Sequence, residues 1–165
     1  MERILFMNKA YLLTGGNMGD RTGKLLEAKK NIATYCGTIL MESSLYETAA
    51  WGKADQPDFL NQVLYLQTSL SAVALMKEIL LIEEIMGRTR TEKYGSRTID
   101  IDILFYNDEI IREPGLIIPH PEIQNRRFVL VPLQEIAPGL VHPVLLKSIS
   151  TLLKDCGDKL DVKKI

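Results

Sequence analysis

Two aspartates, Asp100 and Asp102, stand inside the apolar run RTIDIDIL. Aspartate is a poor strand former, and like charges on one strand face repel. In an extended chain, residues i and i+2 point the same way and lie about 6.5 Å apart. That spacing suits a hard divalent cation, since Mg²⁺ takes one or two protein carboxylates and fills its remaining positions with phosphate and water. It equally suits two such ions about 4 Å apart. A solvated strand face that merely carries two acids would read the same way.

The surroundings favour chemistry. Arg88, Arg90, Lys93 and Arg97 lie just upstream with only Glu92 opposing them, and His120, Arg126 and Arg127 lie downstream. Guanidinium forks and metal ions around a polyphosphate form the phosphoryl-transfer arrangement. A second constellation lies in DQPDFLNQ, where Phe59 and Asn61 are two apart and share a strand face. An amide offers a donor and an acceptor to the edge of a flat heterocycle, and an aromatic ring stacks on its face. Phe128 is a candidate for the opposite face; taken alone, these three residues would read as ordinary core and strand-start positions.

Other motifs carry less. GGNMGDRTGK lacks the glycine spacing of a phosphate loop, and Leu25 follows Gly23–Lys24 where serine or threonine is required. It reads as a strand-to-helix turn with Asp20 at the helix start. Two histidines, His120 and His142, are too few for a zinc site, and Cys36 and Cys156 show no metal spacing.

These residues need a frame. NKAYLLTG reads as a first strand, and Leu25, Ala28, Ile32 and Cys36 recur at helical spacing ahead of Gly37. TILMESSLYET returns to period two, with Ile39, Met41 and Leu45 on one side. A loop with Gly52 and Pro57 follows, then the strand LNQVLYLQT. SAVALMKEILLIEEIMG is the clearest helix, opened by Ser69 or Ser71 and closed by Gly87. RTIDIDILFYN is a fourth strand, and a turn at Asn107–Asp108 leads to EIIRE as a short hairpin partner. VLVPLQEIAPGLV and SISTLLKDC read as terminal helices. The order strand–helix–strand–strand–helix–strand is the split βαβ plan. It predicts an α+β fold: a ferredoxin-like antiparallel sheet with helices on one face plus C-terminal additions.

The 165 residues form one expected domain, 1–165. A net charge of −1 gives no global field for nucleic acid. No apolar run approaches the roughly 18 residues of a membrane span. Cytoplasmic residence, free thiols and a monomer or weak oligomer are the expectations.

With these residues in view, the chain resembles the 6-hydroxymethyl-7,8-dihydropterin pyrophosphokinases of folate biosynthesis. KYGSRTIDIDIL is the densest match; GGN, SSLYET, DQPDFLNQV, IEEIMGRTR, IPHPEIQNRRFVLVPL and EIAPGLVHP support it over residues 9–150. The resemblance implies transfer of pyrophosphate from ATP to the pterin hydroxymethyl group, releasing AMP. It implies two Mg²⁺ ions on Asp100 and Asp102, with ATP as co-substrate. Phe59 and Phe128 would stack the pterin, with Asn61 on its polar edge and Thr48 nearby. Glu83, Arg90, Lys93, Tyr94, Arg97, Ile103, His120 and Arg126 fall where the family contacts ATP, and Arg88 and Arg97 where arginines assist transfer. Residues 48–58 and 88–97 would be lids that exclude water.

The chain departs from the family in having Gly15–Gly16–Asn17 where Gly-Ser-Asn is usual, a shorter basic loop, Pro121 in place of an aromatic, and Gly115 in place of an arginine. Met7 stands near the family's usual start. Two rival readings remain: a metal-dependent nucleotidyltransferase and a non-catalytic nucleotide-binding regulator. The flat-substrate residues argue against the first, and the retained acids and arginines against the second.

Overall fold

Strand β1 (Asn8–Gly16) turns at Asn17–Asp20 into helix α1 (Arg21–Tyr35), whose first turn is capped by Asp20 accepting from the Gly23 N–H at 3.1 Å. A computed structural model of the chain describes residues 7–49, 56–87 and 98–165. After α1 come β2 (Thr38–Glu42), β3 (Tyr46–Thr48), β4 (Phe59–Thr68), α2 (Ala72–Ile85) and β5 (Asp100–Tyr106). The hairpin β6 (Ile111–Glu113) and β7 (Leu116–Ile118) precedes α3 (Arg127–Ile136), α4 (Ile149–Asp155) and β8 (Val162–Lys164).

The main sheet is ordered β5-β1-β4-β3-β8, with β2 also on β4, and every pairing is antiparallel. The α+β ferredoxin-like expectation holds, and the C-terminal additions prove to be the second cover. Leu25, Ala28 and Ile32 of α1 and Leu75, Ile79 and Ile82 of α2 form one core with Leu12, Leu64, Ile101 and Ile103. Val129, Leu130 and Leu133 of α3 and Ile149 and Leu152 of α4 form another on the opposite face, with Leu13, Val63, Leu104 and Phe105.

Three sequence expectations need correction. TILMESSLYET is two strands, because Ser43 steps in between them. Its N–H bonds the Val63 carbonyl, its Oγ accepts the Val63 N–H, and its carbonyl accepts from Gln62 Nε2, at 2.8–2.9 Å throughout. Both backbone groups of Val63 are thus satisfied without a regular ladder, and Met41 is half exposed instead of sharing a buried face. The segment EIIRE pairs with β7, not with β5. The outer edge of β5 is already occupied, by Glu83 at the Ile101 N–H and by the His120 N–H at the Leu104 carbonyl. Helix α3 stops at Ile136, two residues before Pro138, which cannot continue it. Of the two serines offered for α2, Ser71 caps it, accepting from the Ala74 N–H at 3.1 Å; Gly87 follows at φ +80°.

Candidate active site

Strand β5 divides its side chains by face. Ile99, Ile101 and Ile103 enter the α1/α2 core, so the intervening Asp100 and Asp102 face the α3/α4 side. The register on β1 then slips, with Leu12 opposite Ile103 and Tyr11 opposite Phe105, leaving Leu104 as an extra residue. Leu104 and Phe105 both join the α3/α4 core beyond this bulge.

The same parity argument places the flat-substrate residues. Leu60 and Leu64 of β4 lie in the α1/α2 core and Val63 in the other, so Phe59 and Asn61 share the aspartate face. Gly15 is opposite both Asn61 and Asp100, and thus lies between them in one cross-strand row. A side chain at Gly15 would overlap Asn61 Oδ1, so the missing Cβ lets the amide lie across the strand. Asn61 itself is 4% exposed. Thr48 is opposite Phe59 in the neighbouring row, and its Oγ1 is buried with no hydrogen-bond partner among the described residues. A polar atom in that state is one a ligand can satisfy.

Helix α3 lies over this face and begins at the site. Arg126 is its N-cap residue and Phe128 is in its first turn, with the Arg126 guanidinium 5.8 Å from the Phe128 ring centre. His120 lies at the β5 edge, held by its N–H on the Leu104 carbonyl at 2.9 Å. Its Nδ1 accepts from the Glu122 N–H at 3.1 Å. Burial pushes its pKa down to about 4, Arg126 adds to the shift, and Glu122 and Asp100 oppose it. The ring is therefore neutral near pH 7 with its proton on Nε2, a donor.

Glu83 and Ile103 have structural partners as well. Glu83 is 3% exposed on α2, and its Oε2 takes the Ile101 N–H at 2.8 Å, fixing the backbone between the two aspartates. Ile103 is 5% exposed within the α1/α2 core. The structure thus gathers Thr48, Phe59, Asn61, Asp100, Asp102, Arg126 and Phe128 about one sheet face, with His120 at its edge. Arg88, Arg90, Lys93, Tyr94 and Arg97, with most of both expected lids, lie outside the described residues.

Sequence reasoning missed three positions. The sequence reads Gly15 as the end of a strand leading into a turn, and its register beside Asn61 gives it a second use. Asn17 is 2% exposed and donates to the Pro57 carbonyl at 2.9 Å, tying the β1–α1 turn to the residues entering β4. Asp158 holds the start of α3 through the Arg127 N–H at 3.0 Å. Gly15 and Asn17, inside GGN, leave a local signal, and Asp158 leaves none. A cavity of about 190 Å³ adjoins the site, with His120, Ile117, Pro119, His142 and Leu145 in its wall.

The donor set fits Mg²⁺: two carboxylates on one strand face, with no cluster of three or more His, Cys, Asp or Glu among the described residues. A third protein ligand is not needed where phosphates complete the shell.

The 7,8-dihydro-6-hydroxymethylpterin-pyrophosphokinase (HPPK) family model matches residues 11–138. A 2-amino-4-hydroxy-6-hydroxymethyldihydropteridine pyrophosphokinase of Aquifex aeolicus is 42% identical over 141 residues, covering 86% of this chain and 88% of that one. Its Haemophilus influenzae counterpart is 40% identical over 158 residues, covering 95% and 98%. The folic acid synthesis protein fol1 of Pneumocystis carinii is 40% identical over 164 residues, which are 99% of this chain but 22% of that protein. Among solved structures, wild-type Plasmodium falciparum HPPK-DHPS with pteroate superposes with a TM-score of 0.74 at 20% identity, over 93% of this chain. This chain spans 43% of that one, and the likeness bears on the fold alone. No described helix is long and apolar enough to cross a membrane. The chain belongs to the 7,8-dihydro-6-hydroxymethylpterin-pyrophosphokinase family, the pyrophosphokinases of folate biosynthesis.

Proposed function

We propose that the protein transfers the pyrophosphoryl group of ATP to the hydroxymethyl group of 6-hydroxymethyl-7,8-dihydropterin across the polar end of the α3-side sheet face. The observation that supports the site assignment is the cross-strand row Asn61–Gly15–Asp100, which sets an amide suited to a heterocycle beside a carboxylate suited to a metal. Phe59 and Phe128 stack the pterin, Asn61 reads its polar edge, and the Thr48 hydroxyl, which has no partner among the described residues, bonds it. Arg126 and the His120 Nε2–H engage the phosphate chain. Arg88, Arg90, Lys93, Tyr94 and Arg97 join them on the strength of the family resemblance, as do Glu83 and Ile103 at the nucleotide.

The pterin hydroxyl oxygen attacks the β-phosphorus in line. A new P–O bond forms, the bond from the β-phosphorus to the α,β-bridging oxygen breaks, and AMP leaves with that oxygen while the hydroxyl proton passes to solvent. Asp100 and Asp102 would hold Mg²⁺, two ions on the family pattern, and the metal would neutralise phosphate charge and lower the pKa of the hydroxyl. The chain's own share is to align hydroxyl and phosphate on one rigid face. The free, buried Cys36 and Cys156 suit a cytoplasmic setting, and a net charge of −1 suits small-molecule partners over nucleic acid. We expect a monomer or weak oligomer.

Protein mixed with Mg²⁺, ATP and 6-hydroxymethyl-7,8-dihydropterin should yield AMP and the pterin diphosphate. ADP, or no product, would refute this reading.

A further inference from the structure

We infer that the C-terminal segment, residues 157–165, is a strap that sets the width of the pterin slot, with Asp158 as its positioning residue. The inference rests on the assignment of Phe59 and Phe128 to opposite faces of that slot, with Thr48 of β3 paired to Phe59. Thr48 ends β3, and Phe128 lies in the first turn of α3. These elements are distant in sequence, and the tail ties them together.

The first tie is at α3. No side chain local to the helix start caps it. Asp158 does so from 31 residues away, its Oδ2 accepting the Arg127 N–H at 3.0 Å while its Oδ1 accepts the Leu160 N–H at 3.0 Å. A carboxylate there also meets the positive end of the helix dipole. The bonded amide belongs to the residue between Arg126 and Phe128, so a shift of the first turn would move both side chains.

The second tie is at β3. Strand β8 pairs antiparallel with it, setting Val162 opposite Thr48 and Lys164 opposite Tyr46. The Ile165 N–H adds a bond to the Leu45 carbonyl at 3.0 Å. A third tie joins all the parts. Glu135 of α3 meets Lys164 at 3.3 Å, and accepts from the Ser44 N–H at 2.6 Å, the Ser44 hydroxyl at 2.7 Å and the Tyr46 hydroxyl at 3.1 Å. Without Asp158, the α3 end of the strap is loose while β3 stays paired. The slot should then widen on the Phe128 side.

The test is pterin binding in the absence of nucleotide, followed by fluorescence titration. Asp158→Ala should weaken binding about tenfold, the scale of a lost helix cap. Asp158→Asn, which keeps one carbonyl acceptor, should fall between that variant and the parent. Ser148→Ala is the control. It removes a cap of similar kind, the Ser148 Oγ accepting from the Thr151 N–H at 3.2 Å, from α4. It should lower the melting temperature comparably and leave pterin affinity unchanged. Affinity of Asp158→Ala within twofold of the parent would overturn the strap, as would an equal loss in Ser148→Ala. A parent protein that binds no pterin would instead overturn the assignment of the slot itself.

Discussion

The two faces of the central sheet receive the same covering, a pair of helices, and end differently. Under α1 and α2 the strands present a largely aliphatic surface, interrupted by the buried pair Thr14 and Gln62: Leu12, Leu60, Leu64, Ile101 and Ile103 are all at most 5% exposed. Under α3 and α4 the aliphatic surface covers only part of the sheet, around Leu13, Val63, Leu104 and Phe105. Toward Gly15 that face turns polar, with Asn61, Asp100 and Asp102. One face serves stability first, with only Ile103 and Glu83 assigned to the nucleotide as well. The other is partly uncovered, and there groups that would be liabilities in a core are assembled for binding. A mutation on the first face should be felt in folding, and one on the polar end of the second in catalysis.

The widest separation should come from Asp100→Ala. Turnover should fall about a thousandfold, measured as AMP release, while pterin binding without nucleotide and the melting temperature stay near the parent values. A near-normal rate would remove the carboxylate pair from the chemistry. The matched change on the sealed face is Leu64→Ala, which should cost about 2–5 kcal/mol in urea unfolding, with the pterin Kd of the folded fraction unchanged. If affinity fell with stability, the faces would not be separable.

Gly15→Ala probes the boundary. The hard clash is with the end of a side chain, and the Leu60 carbonyl is merely tight at 3.3 Å, so the amide of Asn61 should move and the backbone shift little. The expected result is pterin affinity lower by about tenfold, roughly 1.4 kcal/mol, with unfolding barely altered. Severe destabilisation would mean that the row is rigid.

Stability should also depend on pH. Burial lowers the pKa of His142, whose Nδ1 accepts the Val144 and Leu145 N–H groups, both at 3.1 Å, and His120 is lowered to about 4. Both histidines are held neutral in the folded state, whereas in the unfolded chain they protonate near 6.5. Their contribution is therefore fully present above about pH 6.5 and is lost as the pH falls toward their folded values. Urea midpoints at pH 7.5 and 5.0 should show this decline, and His142→Phe should flatten part of it.

What could be read from the sequence followed the range of each signal. The caps at Asp20 and Ser71 and the alternation of isoleucine and aspartate in β5 are local and appear as expected, and so does the order of strands and helices apart from the split of TILMESSLYET into β2 and β3. Register is not local. Nothing in GGN tells that Gly15 sits between Asn61 and Asp100, since that depends on how β1 aligns with two strands at once. The Ser43 step was hidden because serine is compatible with a strand, and its purpose lies in the backbone of Val63. Asp158 was invisible for the same reason, its partner being an amide on a distant helix. The candidate residues were nameable from type and spacing, but the elements that hold them in place were not.

The bulge at Leu104 also sets where His120 sits. Remove that residue on paper and the ladder on β1 closes without a gap, with Ile103 still opposite Leu12 and Phe105 still opposite Tyr11. Leu104 is thus surplus to the pairing count, and its carbonyl is turned outward to take the His120 N–H. A strand without the extra residue would be more regular and would have no peg for that histidine. The irregularity works as a spacer: it lets one strand keep step with the sheet while setting, at a fixed offset from Asp102, where the next side chain of the site is hung.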